Sequence, residues 1–132
     1  MKKLSMLSLL FMLLLGAGCK KEYYTENIPN YTVVTTVESS QWTFNSNDGT
    51  YNARITMPEI SDVVFQNDGV VVAAMFDGAN YEGLPQVYGG YTYTYFYQPG
   101  YLTISIQGAN GGQGGRPTGG IGFKIVLIPS QQ

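Results

Sequence analysis

Tyr91-Thr92-Tyr93-Thr94-Tyr95-Phe96-Tyr97, then Gln98-Pro99-Gly100, then Tyr101-Leu102-Thr103-Ile104-Ser105-Ile106-Gln107 is the stretch that decides the fold. Both long runs are rich in residues that suit a pleated surface, and both alternate with a period of two. Odd and even positions of each run therefore face opposite sides of a sheet. Pro-Gly between them supplies a turn, so the stretch reads as a β-hairpin.

The same grammar extends outward in both directions. Residues 50–57 place Tyr51, Ala53, Ile55 and Met57 on one side and Asn52, Arg54 and Thr56 on the other, one dry face and one wet face. Asn47-Asp48-Gly49 before them is a hairpin signal, because Asp-Gly accepts the positive φ of a tight turn. Its partner is a strand over residues 41–45, with Trp42 and Phe44 on one face, and a first strand is predicted over residues 32–38. Pro58 ends the 50–57 ladder, having no amide hydrogen to donate. Ile60, Val63 and Val64 then have the spacing of a single helical turn crossing the sandwich, closed by a turn at Asn67-Asp68-Gly69. Residues 70–76 are apolar on both faces, as a central strand would be. A loop-rich stretch to Gly90 holds a short strand at residues 86–88, and residues 121–128 close the domain with Ile121, Phe123, Ile125 and Leu127 inward. Residues 108–120 contain seven glycines around Arg116 and Pro117 and are expected to be a mobile loop. About eight strands of this kind make an all-β, antiparallel two-sheet β-sandwich.

Residues 1–18 are different in kind. A basic start at Lys2 and Lys3 precedes an apolar run over residues 4–15. That run is shorter than the roughly 20 residues a spanning helix needs, and fits the core of a secretory signal. Leu15-Gly16-Ala17-Gly18-Cys19 resembles the lipobox of bacterial lipoproteins in the relaxed form of Bacteroidetes, with leucine one place further back than usual. The resemblance implies removal of residues 1–18 and lipidation of Cys19. Cys19 is the only cysteine, so it has no disulfide partner within the chain. Lys20-Lys21-Glu22 resembles the charged export tags of surface lipoproteins. Residues 19–30 are polar and aperiodic and read as a tether, leaving residues 31–132 as one domain.

Removing 18 residues from 132 leaves 114, enough to bury about 65% of the unfolded surface. Five Lys or Arg against nine Asp or Glu then give a net charge of −4, and only Arg54, Arg116 and Lys124 are basic beyond the tether. A nucleic-acid footprint is excluded on that balance. Trp42, Ile55-Thr56-Met57-Pro58-Glu59-Ile60, Gly69-Val70-Val71, Leu84-Pro85, Tyr97-Gln98-Pro99-Gly100, Arg116-Pro117 and Phe123-Lys124-Ile125-Val126 are similar to features of small Bacteroidetes lipoproteins. Those proteins carry a C-terminal β-domain, often behind a collagen-like Gly-x-y stalk that this chain lacks. The likeness implies a fold and an outer-membrane address. It brings no catalytic residue and no cofactor.

Histidine is absent, which removes the commonest general base and metal ligand along with Ser-His-Asp and Cys-His arrangements. Glu59, Asp62, Asp68, Asp77 and Glu82 are the acids available for a glycosidase pair, but four of them sit beside turns or breaks, where acids serve solvation. The Asn-Asp-Gly turns at 47–49 and 67–69 lack the alternating carboxylates of a calcium loop. The glycine-rich segment lacks the Gly-Lys-Ser/Thr and helix context of a phosphate cradle.

Tyr91, Tyr93, Tyr95 and Tyr97 are the enriched chemical feature, all on one face of a strand. Turned inward they are core, with Thr92, Thr94 and Phe96 outside; turned outward they would stack on sugars or dock a protein. The chain is expected to be a non-enzymatic interaction or adhesion module, held to a membrane by lipid. The alternative is a glycan-binding accessory protein using exposed tyrosines.

Overall fold

A computed structural model of the chain describes residues 28–130, so the signal segment, Cys19 and most of the tether lie outside the described residues. Two antiparallel sheets pack face to face. The first contains β1 (Tyr31–Val37), β4 (Gly69–Met75), β5 (Glu82–Gly83) and β9 (Ile121–Ile128), in the order β1-β9-β4-β5. The second contains β2 (Thr43–Asn45), β3 (Thr50–Met57), β6 (Gln86–Tyr88), β7 (Tyr91–Gln98) and β8 (Gly100–Gly108), in the order β2-β3-β8-β7-β6. The sheets do not close into a barrel, and the chain is an all-β sandwich.

The core follows from the alternation. β9 sends in Ile121, Phe123, Ile125 and Leu127, and β4 sends in Val70, Val72 and Ala74. From the opposite sheet come Ala53 and Met57 of β3 and Leu102, Ile104 and Ile106 of β8. The two strands supplying most of this surface, β8 and β9, are each central in their sheet. Trp42 fills one end, tilted against Phe123 with ring centroids 6.4 Å apart, and its buried Nε1 makes no hydrogen bond within the described chain.

Several local expectations are corrected. Ser39–Gln41 is a turn of 3-10 helix, so β2 is shortened and Trp42 enters the core just ahead of the strand. Helix α1 (Asp62–Asn67) starts after Ser61, whose Oγ accepts from the Val64 amide at 3.2 Å. Ile60 precedes the helix and so is not in phase with it. It is buried with Val64 packed nearby, while Val63 points out and is 67% exposed.

The 67–69 segment is no tight turn either. Asp68 is an extended C-cap whose carboxylate accepts from the Ser130 amide at 3.1 Å, and Gly69 simply opens β4. The 47–49 turn does form as read, with Gly49 at φ 71° and its amide on the Asn45 carbonyl at 2.8 Å. β4 lies between β9 and β5, a strand of two residues that is too short to show a period in sequence, and its outer side is open, Val71 being 47% exposed.

The glycine-rich segment is the largest correction. Instead of a loose connection it is a strap across the end of the sandwich, linking β8 in one sheet to β9 in the other. Ala109 donates to the Gly90 carbonyl at 3.0 Å and Gly114 to the Gly49 carbonyl at 2.8 Å. Arg116 Nη1 donates to the Ser39 carbonyl at 3.0 Å, and Ser39 Oγ donates to the Pro117 carbonyl at 2.6 Å. Glycine is needed here for approach: a Cβ on Gly114 would strike the backbone carbonyl of Ile106. The segment's composition matches that of flexible linkers, which is why its sequence alone points to a mobile loop. Composition does not report these backbone contacts.

Candidate functional site

The tyrosine row lies on the inner side of the five-stranded sheet. Tyr93 is 5% exposed, and Tyr95 reaches across the sandwich to donate its hydroxyl to the Val70 carbonyl at 2.8 Å. Tyr97 is half-buried with its ring edge-on to Phe65 at 6.0 Å. Tyr91, at the end of the row, lies under the strap, where a Cβ on Gly115 would come within 2.5 Å of its ring. Burial raises the Tyr93 hydroxyl above the ordinary tyrosine range, with Tyr91 and Tyr88 adding to the effect, and burial likewise raises Tyr95, with Tyr97 adding. Tyr91 is the one ring of the four left exposed, at 36%, so the row forms no continuous platform open to solvent, and the reading of all four rings as a sugar-stacking row is corrected. The cause is simple: a sandwich of this size needs large inward side chains, and a strand with tyrosine at every second position supplies them.

The opposite side of the same sheet is the better candidate. The five strands carry no Asp or Glu and a single charged residue, Arg54. Register sets Arg54 of β3 against Thr103 of β8, and Thr103 against Phe96 of β7. A short side chain thus lies between a long cation and an exposed ring, and Thr103 is only 5% exposed, while Phe96 is 50% exposed. Two strand spacings of about 4.8 Å put Arg54 and Phe96 about 10 Å apart. The result is a hollow of about 560 Å³ lined by Gln41, Thr43, Asn52, Arg54, Phe96 and Thr103.

Its walls are held in place. The Arg54 guanidinium lies 4.0 Å from the centre of the Tyr101 ring, and the Tyr101 hydroxyl donates to Gln98 Oε1 at 2.7 Å. Gln41 Oε1 accepts the Glu38 amide at 2.7 Å, leaving Nε2 without a partner among the described residues. Asn52 Nδ2 donates to Thr50 Oγ1 at 2.8 Å, leaving its Oδ1 in the same position. Arg54 makes no ion pair among the described residues. The register gave this site away in hindsight: Arg54 is the one charge in an otherwise neutral wet face already legible in residues 50–57.

A smaller cleft of about 270 Å³ lies beside the strap, between residues 117–121 and the rings of Phe76, Tyr88 and Tyr93. Phe76 and Tyr88 stack there at 4.5 Å. This cleft has no charged side chain.

The acids singled out in the sequence are dispersed and tied to local structure. Asp77 accepts from the Asn80 amide, the Asn80 side chain and the Ala79 amide, which hold its carboxyl down to about 2. Glu59 accepts from the Tyr31 hydroxyl at 3.3 Å and Glu82 from Gln86 Nε2 at 3.1 Å. Asp62 is in the first turn of α1. Asp48 in the first Asn-Asp-Gly turn takes the Thr50 hydroxyl at 2.7 Å and the Thr50 amide at 3.1 Å, which lower its pKa. Among the described residues no three acidic side chains gather as metal ligands, and no helix is long and apolar enough to cross a membrane.

Comparisons with known protein families, with characterised proteins and with solved structures find no match to this chain.

Proposed function

We propose that this chain is a lipid-anchored, non-enzymatic interaction module of the bacterial outer membrane, and that it meets its partner through the outer side of the five-stranded sheet. The signal pattern of residues 1–18 and the lone Cys19 support export and anchoring. The observation that carries the contact role is the 560 Å³ hollow, whose arginine, ring and free amide groups the fold does not need for its core. Exposed polar groups held at fixed register on a rigid sheet make a preorganised contact surface. The tether enters β1 at the α1 end of the sandwich, since Ile28 lies beside Val63 and Asn67 there. The strap lies at the opposite end, where β9 begins at Ile121.

Two measurements test this. Palmitate labelling and detergent partitioning of the expressed chain should place wild type in the detergent phase and Cys19→Ser in the aqueous phase; an unlabelled wild-type protein sinks the anchor. Fluorescently tagged, detergent-solubilised full chain should bind saturably to envelopes of cells lacking it. The Arg54→Ala, Phe96→Ala double variant should lose that binding while still unfolding in one cooperative transition, within about 10 °C of wild type. Equal binding by the two proteins sinks the contact face.

A further inference from the structure

We infer that the hollow on the five-stranded sheet binds an acidic glycan, a polysaccharide whose sugars carry carboxylates such as uronic acids. The inference rests on the reading of this face as the contact surface and names its ligand class.

Charge complementarity is the first ground. The chain beyond the tether is acidic, yet the five strands forming this face hold one cation and no anion. Arg54 is exposed, has no carboxylate partner among the described residues, and is steadied at 4.0 Å over Tyr101. A guanidinium held this way offers a planar fork that matches a carboxylate with two parallel hydrogen bonds. An isolated lysine on a flexible stem would not be preorganised to the same degree.

The second ground is what surrounds the fork. Thr103 is the low floor between Arg54 and Phe96, and the next row across the sheet is Thr43, Asn52, Ser105 and Thr94. These are neutral groups that both donate and accept, the chemistry of a polyhydroxylated ligand. Phe96 contributes an exposed ring on the far side, a platform for the apolar face of a sugar. The two walls stand on strands about 10 Å apart, two strand spacings, and the hollow of about 560 Å³ between them has room for a sugar ring on the short Thr103 floor. A protein partner would instead favour an apolar centre with a polar rim, and the centre here is threonine, serine and asparagine. A free carboxylate on a peptide would satisfy Arg54 but leave those hydroxyl and amide groups unmatched.

The test uses the detergent-solubilised full chain and four polymers: polygalacturonate, the same polymer methyl-esterified, dextran and polyaspartate. Titration calorimetry should show binding to polygalacturonate. Esterification, which removes the charge and keeps the sugar, should weaken it by about tenfold or more, the scale of one charge-assisted contact. Arg54→Ala and Arg54→Gln should each lower polygalacturonate binding to the level of the ester. Phe96→Ala should weaken the acid and the ester forms alike, and Lys124→Ala, on the other sheet, should leave the affinity for polygalacturonate unchanged.

Equal affinity for the acid and its ester overturns the inference, as does a Lys124→Ala loss matching that of Arg54→Ala. Polyaspartate binding as tightly as polygalacturonate assigns the site to a peptide and also overturns it. Absence of polygalacturonate binding overturns it too, and if envelope binding still depends on Arg54 and Phe96, the contact face survives with a different ligand.

Discussion

The two outer sides of this sandwich rest on one core and differ in almost every other respect. On the four-stranded sheet the row Val34, Lys124, Ala73 runs across three strands, flanked by Val71 and with Val34 61% exposed. On the five-stranded sheet the matching row is Arg54, Thr103, Phe96, flanked by hydroxyls and amides. Each side has a single cation on its long strands, and each cation lies 4.0 Å from the centre of a tyrosine ring, Lys124 over Tyr81 and Arg54 over Tyr101. The cation and its ring are therefore not what separates them. Inner positions are dictated by the need to bury apolar surface, whereas outer positions are free to answer to partners, so the contrast in their composition carries functional information.

The comparison breaks most sharply if the sides do not share one support. Trp42→Ala should cost about 3–5 kcal/mol, the range for emptying a large aromatic site, and should move a single cooperative urea transition seen by probes on both sheets. Two separate transitions would mean that each side has its own foundation. Gly114→Ala should cost about 1–3 kcal/mol, because the added methyl meets the Ile106 backbone and overpacks the strap that joins the sheets. Gly119→Ala, where a Cβ meets nothing within 4 Å and φ is not positive, should be neutral or slightly stabilising. If both substitutions are neutral in the same denaturation assay, the strap is not packed as described. Tyr95→Phe should cost about 1 kcal/mol by deleting the hydroxyl that reaches Val70 across the sandwich, measured by the same melts. No change would leave packing alone to couple β7 to β4.

Much of this architecture was legible before any coordinates. The period of two in residues 50–57, 91–97 and 101–107 predicts the strands, because side-chain alternation along a strand is geometric, and in 50–57, where one face is dry and the other wet, it also predicts the face that is buried. Glycine-rich segments, by contrast, have no side chains to report their surroundings, so residues 108–120 look like a linker in sequence and pack as a strap in space. The tyrosine row could be assigned to a face but not to a side, since tyrosine serves equally well as core and as platform. The hollow was least visible. Phe96 and Thr103 face each other across the 91–107 hairpin, but Arg54, more than forty residues earlier, joins them in a row only when β3 pairs with β8 in the observed register.

The smallest expected effects distinguish the two sides most finely. Arg54→Ala and Lys124→Ala each remove an exposed or half-exposed cation from a tyrosine ring, a contact worth about 0.5–1 kcal/mol at such sites, so the two should be nearly matched in thermal stability. Their effects on association should diverge. Lys124 is the only charge on β1, β4 and β9, among exposed Val34, Val71 and Ile128, and a charge among apolar strand residues opposes sheet-to-sheet association. Lys124→Ala should therefore make sedimentation concentration-dependent, while Arg54→Ala, on a face of hydroxyls and amides, should remain as dispersed as wild type. If both variants associate equally, net charge alone governs solubility and the contrast between the two sides has no physical consequence there. If only Lys124→Ala associates, that lysine keeps the apolar side solitary and Arg54 is free for a ligand.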